Sequence, residues 1–230
     1  MRTLLALILI LAVPPAPDEA TVSGKVSAPE GAPQKKLRAR IKYAGPGIEA
    51  HKDPDPSPAV VWLEGAAAVK MEPQTFEVRQ VDVEFRPRIL AVPVGSTVKF
   101  PNGDDVFHNV FSYSKASRLD LGRYPKGESK SETFSTKGLV DLHCEVHDHM
   151  RGYIHVFDHP YYAVAAADGT YAIPKVPPGK YTLVAWKEFF EPVRQPVEVK
   201  AEGAKVDLTL ARHEEAPADR RVGAACCDAR

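Results

Sequence analysis

The sequence predicts an all-β protein, a Greek-key β-sandwich joined to a small second β-sandwich, and three observations lead there. Apolar or alternating runs of about four to eight residues recur along the chain, the length and period of strands. Turn formers separate them, with 21 Pro and 15 Gly among 230 residues. No stretch carries the apolar stripe of a convincing amphipathic helix.

Taken in order, Thr21-Val22-Ser23-Gly24-Lys25-Val26-Ser27 alternates and ends in a turn at Pro29–Pro33. Leu37–Tyr43 alternates again, and the polar stretch Gly45–Pro58, holding four Pro and two Gly, reads as a loop. Ala59–Gly65 returns as an apolar strand, and Ala66–Lys70 starts a helical turn that Pro73 limits. Short strands follow around Thr75–Val78, Ile89–Val92 and Thr97–Phe100, with Gly95-Ser96 turning between the last two. Ser112–Ser131 is polar and irregular, with Leu119–Gly122 as its one apolar knot. Glu132–Ser135 then leads through Gly138 into the strand before Cys144. Beyond Phe157, Tyr162–Ala165 and Thr170–Ile173 flank Asp168-Gly169, a hairpin signal. Pro177–Lys180 turns into Tyr181–Trp186, and Val197–Lys200 and Val206–Leu210 finish the pattern.

Thirty acidic and thirty basic residues leave no formal net charge. That balance argues against nucleic-acid binding and against strong global steering of a charged partner. Met1-Arg2-Thr3 and the apolar run Leu4–Val13 read as a secretory signal over residues 1–20. An uncleaved anchor is the alternative. The mature chain has no membrane-spanning stretch and is expected in the periplasm or outside the cell. Three Cys remain, Cys144 and the adjacent Cys226-Cys227. An adjacent pair closes only a strained ring, and Cys144 lacks a partner at framework spacing, which favours a metal-held thiolate. Residues 213–230 read as a mobile tail.

The chemistry concentrates in Leu142-His143-Cys144-Glu145-Val146-His147-Asp148-His149-Met150. A thiolate, an imidazole and a thioether on one tight loop after a strand make a soft metal site that lacks a second imidazole. His108, 36 residues upstream on another strand, is the candidate. Two His, one Cys and a weak axial Met make a trigonal site suited to copper electron transfer. The competing readings are ordinary ones: a buried free thiol for Cys144, a packed or exposed His108, a core-filling Met150. A catalytic Cys–His pair finds no oxyanion motif and no third orienting group, so no enzyme is expected. On the strand, His143 points away from the face Cys144 uses. His149 and His155 read as solvated.

Phe100-Pro101-Asn102, Phe107-His108-Asn109-Val110 and Cys144-x-x-His147-x-x-Met150-Arg151-Gly152 resemble the cupredoxins, the amicyanin- and plastocyanin-like type 1 copper proteins, over roughly residues 75–157. The loop spacing is most similar to amicyanin, and through it to methylamine utilization proteins. The sequence departs from that pattern in placing Val146 and Asp148, rather than Pro, beside the downstream His. The resemblance implies one copper held by His108, Cys144, His147 and Met150. It also implies that Asn109 ties the ligand loops together and that electrons pass through the edge of His147, the ligand nearest solvent.

The run Asp168-Gly169-x-Tyr171-x-Ile173-x-x-Val176-Pro177-x-Gly179-x-Tyr181-x-Leu183 is similar to carboxypeptidase regulatory-like domains, small β-sandwiches without catalytic residues of their own. As it stands the module lacks opening strands, and Val22–Val26 and Ala59–Leu63 look like them. The expected organisation is therefore N-terminal strands at 21–70, a cupredoxin domain at 71–157 and the second sandwich at 158–212. The N-terminal strands either complete a sandwich split by the cupredoxin or form an extension packed on it. An exported carrier of single electrons between redox protein partners is the function this implies. A copper carrier or sensor, and a structural envelope protein, are the rivals.

Overall fold

The computed structural model describes residues 20–29 and 57–212. The signal before Ala20, the strand Leu37–Tyr43, most of the Gly45–Pro58 loop and the tail with Cys226 and Cys227 lie outside the described residues. Among the described residues every regular element is a β-strand, and no helix is long and apolar enough to cross a membrane.

The chain opens with β1 (Ala20–Ser27) and β2 (Val60–Glu64). It then builds a continuous sandwich from β3 (Thr75–Glu77), β4 (Arg79–Val81), β5 (Glu84–Arg86), β6 (Ile89–Pro93), β7 (Ser96–Pro101), β8 (Phe111–Tyr113), β9 (Arg118–Asp120), β10 (Ser129–Phe134), β11 (Gly138–His143) and β12 (Arg151–Phe157). One sheet runs β10-β7-β3, flanked by the β4–β5 hairpin, and the other runs β6-β12-β11-β8-β9. Between them Val98, Phe100, Val110, Phe134, Val140, Leu142 and Ile154 form the core.

The remaining strands are β13 (Tyr162–Val164), β14 (Thr170–Val176), β15 (Gly179–Trp186), β16 (Phe190–Glu191), β17 (Val193–Val199), β18 (Ala204–Lys205), β19 (Leu208–Thr209) and β20 (Ala211–Arg212). β15 pairs directly with β17 and β16 with β20, and the N-terminal strands join the others into sheets. β1 pairs antiparallel with β14, Val22 opposite Ile173, and parallel with β18 and β19. β2 lies between β13 and β15, with Trp62 opposite both Tyr162 and Val184. Val22, Val61, Leu63, Ile173, Leu183 and Leu208 fill the space between these two sheets. This sandwich is split in sequence around the continuous one.

Three expectations about the strands and turns fail, each for a tertiary reason. Ala66–Lys70 forms no helical turn, because the segment crosses between sandwiches and the Val69 N–H donates to the Asp158 carbonyl at 2.9 Å. The Asp168-Gly169 turn forms, but the strands beside it do not pair as a hairpin. β13 goes to β2 and β14 to β1, so the turn carries the chain from one sheet to the other. Gly169, at φ 85°, is required there: a Cβ would lie 2.2 Å from the Val26 carbonyl oxygen. The irregular reading of Ser112–Ser131 hides a β8–β9 hairpin, pinned by Arg118 over the Tyr113 ring at 5.6 Å and by buried Leu119.

The two sandwiches meet along a seam. Alternation turns Val61 and Leu63 of β2 into the split core, and Val60 and Trp62 into the seam. β12 does the same, with Ile154 and Val156 inward and Tyr153, His155 and Phe157 outward. Strands covered on both faces carry continuous apolar runs for this reason. His155, expected in solvent, is buried against Trp62, Phe157 and Trp186, with ring centroids 5.8, 6.0 and 4.7 Å away. Beside it Glu188, 4% exposed, accepts two bonds from Arg88, at 2.7 and 2.6 Å, and one from the Tyr153 hydroxyl at 3.0 Å. A buried carboxylate needs such partners, and the continuous sandwich supplies these three to the split one, with a fourth from the Ser57 hydroxyl at 3.2 Å.

Candidate metal centre

β11 sends Val140 and Leu142 into the core, and the two-residue period carries Cys144 inward directly after the strand ends. His143, one step earlier, faces the other way and stacks on Phe111 at 5.5 Å. The loop 144–150 is closed by the pairing of His143 with Arg151 and by a Met150 N–H to His147 carbonyl bond of 3.0 Å. His147 and Met150 are thereby turned back toward Cys144. All three are buried, at 7%, 1% and 3% exposure.

His108, expected on a strand, lies instead in the segment that joins β7 to β8, the strand paired with β11. Its N–H and carbonyl both bond the backbone of Tyr124, at 3.2 and 2.9 Å. Tyr124 is wholly buried and donates its hydroxyl to the Phe100 carbonyl, while Asn102 clamps the Val106 and Tyr124 carbonyls. Asn109 Oδ1 accepts the Glu145 N–H at 2.8 Å, so it does tie the His108 segment to the Cys144 loop.

Three donor atoms converge. His108 Nδ1 and His147 Nδ1 are 3.1 Å apart, and Cys144 Sγ lies 3.9 Å from each. A point about 2.1 Å from all three lies between them, close to the bond lengths a metal ion makes with imidazole and thiolate. Met150 belongs to the same buried cluster as Cys144. One thiolate, two imidazoles and a neighbouring thioether form a soft donor set that fits a transition-metal ion.

Protonation favours the same use. The Asp104 carboxylate accepts a bond from His108 Nε2 at 2.9 Å, which places the proton on Nε2 and leaves Nδ1 bare. Burial lowers the His108 pKa, opposed by the bond and charge of Asp104. His147 falls to about 4, through burial first and then the charges of His108 and His149. Both rings are therefore neutral at neutral pH, the form in which imidazole can bind a metal.

Of the four sequence candidates the structure brings His108, Cys144 and His147 together, with Met150 buried at the end of the same loop. Reading the sequence missed Asp104, Tyr124 and Gln80, whose amide donates to the Tyr124 hydroxyl at 2.5 Å. Asp104-Asp105 is in plain view four residues before His108, but in a loop that spacing says nothing about contact.

Comparison with known proteins gives partial likenesses. A family model described as domain II of polysaccharide lyase family 4 matches residues 139–208, which covers β11, β12 and most of the split sandwich. No curated protein matches. Among solved structures, a copper-containing nitrite reductase from Thermus scotoductus SA-01 is 29% identical over 41% of this chain at a TM-score of 0.35, and the chain covers only 24% of it. A reduced amicyanin mutant is 29% identical, over 36% of this chain and 82% of that one, at 0.34. A purple cupredoxin from Nitrosopumilus maritimus is 26% identical, over 32% and 81%, at 0.30. At such scores the likenesses do not assign the site, whose reading rests on its own donor geometry.

Proposed function

We propose that this is an exported type 1 copper protein that carries single electrons between redox protein partners and catalyses no reaction of its own. The observation that carries the reading is the buried triangle of His108 Nδ1, Cys144 Sγ and His147 Nδ1, with sides of 3.1, 3.9 and 3.9 Å. Copper bound there would supply reversible one-electron chemistry. Cys144 would contribute the thiolate, His108 and His147 the neutral imidazoles, and Met150 a thioether. The ligands sit in a packed core and are braced by Asn109, Asp104 and Tyr124, which holds them in one arrangement for both oxidation states. His147 is the more exposed imidazole, at 7% against 0% for His108, and Phe107, the residue before His108, is 56% exposed. That end of the sandwich is where a partner would dock.

Export rests on the Leu4–Val13 run and places the protein in the periplasm or outside the cell. The carboxypeptidase regulatory-like identity of the split sandwich, and the link to methylamine utilization, rest on the sequence motifs and loop spacing alone. The split sandwich covers one face of the copper domain and acts as its spacer.

Titration of the metal-free protein with Cu(II) tests the reading. An intense visible band at one equivalent, bleached by reductant and restored by oxidant, is the expected result. A colourless complex, or a preference for zinc, would leave a structural site. A coloured site that exchanges electrons only slowly would indicate a copper carrier or sensor.

A further inference from the structure

The β4–β5 hairpin turns on Asp82 and Val83, at φ 57° and 60°. A two-residue turn with both central residues left-handed normally carries Asn-Gly or Asp-Gly, since a β-branched residue at positive φ is strained. Such a turn also leaves its two central N–H groups outside the strand ladder. Here both find the same carboxylate: Asp82 N–H donates to Asp104 Oδ1 at 2.8 Å and Val83 N–H to Asp104 Oδ2 at 2.9 Å. Asp104 Oδ2 is also the atom that accepts from His108 Nε2. The approach is built in. Gly103 lies against β4, its N–H bonding the Gln80 carbonyl at 2.9 Å, and a Cβ there would meet Val81 Cγ2 at 3.1 Å. The Asp104 N–H is held in turn by Asn102 Oδ1 at 2.9 Å.

We propose that the strained Asp82-Val83 turn is a positioning device for the metal ligand His108, acting through Asp104. This rests on the reading of His108 as a ligand. Strained backbone persists where its surroundings over-determine it, and here what it holds is a hydrogen-bond acceptor against an imidazole. Two amide donors fix both carboxylate oxygens and draw charge from them. The carboxylate then orients His108 and fixes its tautomer without pulling strongly on the Nε2 proton. Without the amides Asp104 is no longer held against His108, and an imidazole that loses its acceptor donates less electron density and favours Cu(I). Asp82 and Val83 touch no metal, so neither is itself a ligand.

Nitrogen-15 NMR of the metal-free protein reads the relay directly. In the wild type, His108 should be the Nε2–H tautomer and the Asp82 and Val83 amides should be protected from exchange. Asp104→Ala should speed exchange of those two amides by ~10-fold or more while the β7 and β11 amides keep their protection. Asp82→Pro suits an ordinary turn but cannot adopt positive φ or donate, so it should mix the His108 tautomers. In the copper protein it should also raise the reduction potential. The pair Asp82→Asn with Val83→Gly keeps the turn geometry and should restore both readouts. Unchanged amide exchange in Asp104→Ala overturns the proposal. So does a folded Asp82→Pro protein with wild-type tautomer and potential. Should Asp82→Pro not fold, the Asp104→Ala exchange decides. If copper does not bind, the metal-free measurements still decide the relay, and only the copper reading fails.

Discussion

Two regions of this molecule bury histidine, and they do so to different ends. At the loop end, His108 and His147 bring their Nδ1 atoms within 3.1 Å of each other and 3.9 Å of a thiol sulfur. At the seam, His155 is enclosed by Trp62, Phe157 and Trp186, and its Nε2 is buried without a hydrogen-bond partner. Burial depresses both kinds, His147 to about 4 and His155 to about 3. A depressed pKa therefore does not mark a site in this protein. Convergence of donors does: the seam offers His155 rings and no ligand, whereas the loop offers three soft donors around one point.

The sharpest way to break this contrast is to remove the thiolate. Cys144→Ser should abolish the visible band of the copper-loaded protein, while His155→Phe should leave it intact. A coloured Cys144→Ser protein, read by its absorption spectrum, would move the centre elsewhere. The opposite result is expected at the seam. Glu188→Ala strips Arg88 and Tyr153 of a buried carboxylate and should cost about 3 kcal/mol in urea unfolding of the metal-free protein, without changing the copper band. Equal stability would mean that the network is incidental.

Acid separates the two regions next. His155 is neutral when folded and takes up a proton near the ordinary value of 6.5 when unfolded. Between those pH values the unfolded state binds more protons, so His155 contributes stability near neutrality that is lost as pH falls from about 6.5 toward 3. In His155→Phe the slope of unfolding free energy against pH over that window should flatten by up to about 1.4 kcal/mol per pH unit. An unaltered slope would place the proton uptake elsewhere. The smallest effect belongs to Met150. Met150→Gln should keep a coloured centre and lower its reduction potential, because an axial oxygen donor favours Cu(II). A potential that does not move in voltammetry would remove Met150 from the ligand set.

Local chemistry by itself determined a good deal here. Alternation and turn residues dictate strands, so the all-β class and the places of β6, β7, β11 and β15 were legible, although β15 starts two residues earlier than its turn signal suggests. Donor type and spacing along one loop were enough to single out Cys144, His147 and Met150, because a tight loop after a strand leaves its side chains few places to go. His108 needed its neighbouring motif as well, since a single His on a strand is ordinary. Tertiary structure alone decided which strands pair. The hairpin signal at Asp168-Gly169 is real as a turn, yet its flanking strands find β2 and β1, more than a hundred residues away, because those offer complementary apolar faces. It also decided the fate of His155. Period-two alternation puts that residue on the outer face of β12, where solvent is the default, and only the docking of Trp62 and Trp186 makes that face an interior. The Asp82-Val83 turn and Asp104 meet for the same kind of reason: a hydrogen bond across 22 residues depends on how two loops approach, which no local preference encodes.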